Sequence, residues 1–74
     1  MNIKDCDIQI ARWRKASHYV KNDNRDPLVE LFKEGGGDHY YAKDCTKAQA
    51  MIQIKLAIED LEWEKQVIME EMRL

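Results

Sequence analysis

"CTKAQAMIQIKLAIEDLEWEKQVIMEEMR", residues 45–73, contains neither glycine nor proline and is dominated by Ala, Gln, Glu, Lys, Leu and Met. Those residue types are strong helix formers, so the segment predicts one long helix, with Asp44 as its N-cap. At 1.5 Å per residue, about 29 residues make a rod roughly 43 Å long. Placed on a wheel at about 100° per residue, it has two apolar sides. Ala50, Met51, Ile54, Ala57, Ile58, Leu61, Ile68, Met69 and Met72 share one broad face, which only Lys65 interrupts. Within that face Met51, Ile54, Ile58, Leu61, Lys65, Ile68 and Met72 step by three and four, a heptad-like seam. Opposite them stand Ile52, Leu56, Trp63, Val67 and Leu74, at steps of four, seven, four and seven.

A surface helix needs one apolar stripe, and two opposed stripes require a neighbour on each side. The rest of the chain supplies little to cover them. Ile3, Cys6, Ile10, Trp13, Ser17 and Val20 recur at helical spacing and predict a first helix over residues 3–21, capped by Asn2. "DIQIARW" also alternates like a strand, but only for two steps. Asp26 and Pro27 start a short helix over 27–34, with Leu28, Leu31 and Phe32 inward, and three glycines at 35–37 end it. Residues 35–43 are expected to be a loop whose tyrosines roof the core. The two preceding helices, roughly 28 and 12 Å long, would together cover one face of the rod.

The sequence-based fold is therefore all-α, one domain over 1–74: helix, short helix and long C-terminal helix, packed as a coiled-coil-like or bundled homodimer. Its expected core is Ile10, Trp13, Leu31, Phe32, Ile54, Ile58, Leu61 and Ile68. The expected oligomer interface is Ile52, Leu56, Trp63, Val67 and Leu74. A closed monomer, with the two shorter helices straddling the rod, is the plainer alternative. A stripe bare in the single chain and filled by a foreign protein is the remaining one.

With 35% charged and 45% apolar residues, the chain falls in the globular rather than the disordered class. At 74 residues a lone fold is marginal, and self-association is one way to gain stability. The net charge of −2 hides a contrast. Residues 1–25 carry six bases against three acids, whereas residues 59–74 carry six acids against two bases. Either the two ends attract one another or each meets a different partner. Arg12, Arg14, Lys15, His18 and Lys21 form a basic edge that, with Tyr19, could combine charge and stacking on nucleic acid. It is small for a phosphate-binding surface, and a solvated helix face is the plainer reading.

No chemistry is spelled out. His18, His39, Cys6 and Cys45 fall in different elements without metal-binding spacing, so no metal or cofactor is expected. The cysteines are expected to be reduced and semi-buried, with a disulfide as the minor alternative. Asp38-His39 beside Tyr40 and Tyr41 lacks a nucleophile–base–orienter set, and "EGGGDHYY" lacks the setting of a phosphate loop. The glutamates of the long helix read as a solvated flank. No run is long enough to span a membrane, and "MNIKDCDIQI" has no signal-peptide pattern, so a cytoplasmic location is expected.

In scale and style the chain resembles the small acidic helical proteins encoded by phages and mobile elements. Such proteins inhibit or redirect host machinery by binding it, in the host cytoplasm. The expected function is a non-enzymatic protein–protein interaction module. It would pair with itself and occlude an unidentified protein target through Glu59, Glu62 and their acidic neighbours, or through the Arg12 to Lys21 edge. The alternative is a small dimeric nucleic-acid-binding regulator using that edge.

Overall fold

Asn2 opens the first helix by accepting the Asp5 backbone N–H on its side-chain oxygen at 2.8 Å. In the computed structural model, which describes residues 2–73, four helices follow in order. They are α1 (Ile3–Lys21), α2 (Asp26–Glu34), α3 (His39–Asp44) and α4 (Lys47–Met72). There is no strand among the described residues, so the alternation around Ile8 and Ile10 does not make one.

Several boundaries differ from the sequence-based reading. Residues 35–43 are not all loop: Asp38 accepts the N–H groups of Tyr40 and Tyr41 at 3.0 and 3.1 Å and starts α3. The residue that α3 buries is Ala42, fully covered, whereas Tyr40 and Tyr41 remain exposed and do not roof the core. The long helix begins at Lys47, not 45, because Thr46 and Gln49 form a reciprocal capping box. Thr46 Oγ1 accepts the Gln49 N–H at 3.1 Å, and Gln49 Oε1 accepts the Thr46 N–H at 2.9 Å. Two orphan donors are satisfied at once, which Asp44 cannot match, and Asp44 instead ends α3. α2 begins at Asp26 rather than 27, with Arg25 in the N-cap position.

Helices α1 and α2 end alike. The Asn24 N–H donates to the Tyr19 carbonyl at 2.9 Å and the Asp23 N–H to Val20 at 2.9 Å. The Gly37 N–H donates to Phe32 at 2.9 Å and the Gly36 N–H to Lys33 at 3.3 Å. Both are Schellman ends, which need one left-handed residue. Gly36 supplies it at φ 74°, and Asp23 at φ 62°. A side chain in that conformation is strained, so Asp23→Gly is expected to stabilise the fold by about 0.5–1 kcal/mol. The exposed Asp23–Lys47 pair that it removes, 4.0 Å long, is worth little. Thermal unfolding would show the gain as a rise of a few degrees.

α1 and α4 pack antiparallel: Ser17 Oγ approaches Met51 Sδ at 3.6 Å, and Lys65 Nζ pairs with Asp7 at 2.7 Å much farther along α4. α2 turns back against α1, and α3 packs on α2. The core unites Ala16, Val20, Leu28, Leu31, Ala42, Cys45, Ala50 and Ile54, flanked by Trp13, Val29, Phe32, Met51 and Ile58. Ala16, Ala42 and Ala50 are wholly covered, and their size lets the helices approach closely. Of the expected core residues, Ile10, Leu31 and Ile54 are buried, while Trp13, Phe32, Ile58, Leu61 and Ile68 are only half-buried. The reason is the shape, 44 × 21 × 16 Å. α2 and α3 thicken one end, and the C-terminal half of α4 has only α1 beside it. Met72, assigned to the inward seam, lies at the thin end and is 74% exposed.

Candidate interaction surface

The same asymmetry leaves the outer side of α4 bare. Ile52 is 56% exposed, Leu56 53% and Trp63 67%. Val67 is half-buried, and Leu74 lies outside the described residues. Neither shorter helix straddles α4 to cover this side, because both α1 and the core contributed by α2 and α3 meet the face that carries Ala50 and Ile54. Ile8, 48% exposed, is a further large apolar residue on the outer side of α1.

One ion pair joins a base of the N-terminal stretch to an acid of the C-terminal one: Arg14 and Glu62, 3.6 Å apart across the α1–α4 seam. Lys65 and Asp7, 2.7 Å apart across the same seam, pair in the opposite sense. Arg12 pairs with Glu34 at the end of α2. Two of the five residues of the basic edge thus already have carboxylate partners, and phosphate would have to displace Glu34 and Glu62. Lys15, His18 and Lys21 make no ion pair among the described residues. Glu59 is exposed and unpaired on the outer flank of α4.

The hydrogen bond from Arg12 holds the Glu34 carboxyl below its ordinary range, with attraction to the guanidinium acting in the same direction. Glu34 also raises the Arg12 pKa through the same bond. A depressed carboxyl favours the fold above the ordinary carboxylate range, and that contribution fades as pH falls through its lowered value. In Arg12→Ala, the Glu34 side-chain resonance is expected to titrate higher, at an ordinary carboxylate position, in an NMR pH series.

Both cysteines are buried and free; Cys45 Sγ donates to the Ala42 carbonyl at 3.3 Å. Among the described residues, no three His, Cys, Asp or Glu side chains gather in a metal-holding group. His39 leans on Tyr40 with ring centroids 4.2 Å apart. No helix of the described residues is long and apolar enough to cross a membrane. No family model, curated protein or solved structure matches this chain.

Proposed function

We propose that this chain is a non-enzymatic helical interaction module that pairs with a second copy through the outer side of α4. The reading places it in the cytoplasm as a small inhibitor or adaptor that works by occluding a partner's surface. The observation that carries it is the exposure of Ile52, Leu56 and Trp63 on one side of α4, away from its own chain's core. Large exposed apolar side chains gathered on one side of a helix mark an association surface.

The row also fits itself. Its spacing of four, seven and four reads the same in both directions. Two antiparallel copies therefore set Ile52 against Val67 and Leu56 against Trp63 in one register, with a two-fold axis between Glu59 and Asp60. A parallel pair would instead align the acidic C-terminal halves along their whole length. In the antiparallel pair only Glu59 and Asp60 crowd the axis, and the same register sets Lys55 level with Glu64 of the other copy on either side of it. Light scattering at tens of micromolar tests the reading: twice the 8.8 kDa chain mass is expected, and a single-chain mass at every salt concentration would reject it.

A further inference from the structure

α1 buries Cys6, Ile10, Ala16 and Val20 against the rest of the chain, so its opposite side faces outward. Lys4, Ile8, Ala11, Lys15 and His18, at steps of four, three, four and three, form one row there, and all five are exposed. Arg14 and Lys21 stand exposed on the flank beside that row. This side points away from Ile52, Leu56 and Trp63, because α1 meets the face of α4 that carries Ala50 and Ile54.

One sign of charge prevails on it. Lys4, Lys15, His18 and Lys21 have no carboxylate within ion-pair reach among the described residues, and Arg14 holds Glu62 only at 3.6 Å. Asp7 is the acid beside the row, and Lys65 neutralises it at 2.7 Å. Asp5 lies with Arg12 on the flank toward α2, where Asp26 and Glu30 share a hollow with Lys15 and Tyr19. Amid the basic side chains sit Ala11 and Ile8, the latter 48% exposed.

We propose that the outer side of α1 receives one helix of a partner protein, apolar along a central line and flanked by Asp or Glu. A phosphate backbone would use the lysines but leave Ile8 unmatched, and Arg12 and Arg14 are already engaged by Glu34 and Glu62. An acidic amphipathic helix meets both features. Its apolar line covers Ile8 and Ala11, and carboxylates about 16 Å apart, the rise from Lys4 to Lys15, meet the two lysines. The acidic outer side of a second copy's α4 is not free to serve, being committed to its own pairing. The inference rests on the chain being an interaction module, and it shares no residue with the α4 row.

The test is an NMR titration of the isotope-labelled protein with two 18-residue Ala-based helical peptides carrying the same line of Leu, one flanked by Glu and the other by Lys. The Glu peptide is expected to bind once per chain and to move the signals of Ile8, Ala11 and Lys15, equally in the wild type and in Leu56→Glu/Trp63→Glu. Its Kd should rise with salt, by about tenfold or more in Lys4→Glu/Lys15→Glu and about threefold or more in Ile8→Ser. Circular dichroism verifies that both variants keep the wild-type helicity. No binding of the Glu peptide, equal binding of both peptides, shifts confined to Ile52, Leu56 and Trp63, or an unchanged Kd in either variant would overturn the proposal. So would a 16-base-pair DNA duplex that binds this side more tightly than the Glu peptide. Mass measured on the same samples keeps the two readings apart. A dimer that ignores the Glu peptide removes the α1 proposal alone, a single chain that binds it removes self-association alone, and a single chain that ignores it removes both.

Discussion

Ile54→Ala is expected to cost about 2–5 kcal/mol of folding stability, the range for truncating a buried aliphatic side chain. Ile54 is 2% exposed and stands where α4 meets the core built by α1, α2 and α3. The cavity would be bordered by three helices fixed by their own caps and turns, so little collapse can fill it. A domain of this size has on the order of 4–11 kcal/mol in total. The loss is therefore a large share of the whole, and urea unfolding followed by circular dichroism reads it directly. A shift below 1 kcal/mol would mean that the thick end of the molecule is not its core.

The position of that core was only partly legible in the sequence. Ile54, Leu31 and Ile10 announce themselves by apolar character at helical spacing. Ala16, Ala42 and Cys45 do not: small residues carry little hydrophobic signal, and their burial depends on which helices come close. α3 was missed for a related reason. Six residues after three glycines hold too little periodicity to register, although Asp38, a favoured N-cap residue type, stands directly before them. The start of α4 was misplaced because Asp44 is a good cap alone, and only the Thr46–Gln49 pair, three apart, identifies the better one. The two apolar sides of α4 needed only the wheel. The pairing of Arg12 and Arg14 did not follow from any wheel, since it depends on Glu34 and Glu62 arriving from other helices.

The second large effect is expected at the outer row. Leu56→Glu/Trp63→Glu should weaken self-association more than about 100-fold, because in the antiparallel register each new carboxylate meets another from the second copy where two apolar side chains had met. Because both side chains are over half exposed in the single chain, folding stability of the separated chain should change by only about 0.5 kcal/mol. Sedimentation should find a well-folded single chain with the helicity of the wild type. Ile54→Ala and this pair thus separate what holds the chain together from what joins two copies. A double variant that unfolds would place Leu56 and Trp63 inside the fold instead.

The most direct measurement is an isotope-filtered NOE experiment on a mixture of labelled and unlabelled wild-type chains, which detects only contacts between copies. Cross-peaks from Leu56 methyl groups to the Trp63 ring, and from Ile52 to Val67, are predicted. An absence of contacts between copies along residues 52–67, or contacts joining each residue to its own counterpart, would contradict the antiparallel pairing of α4.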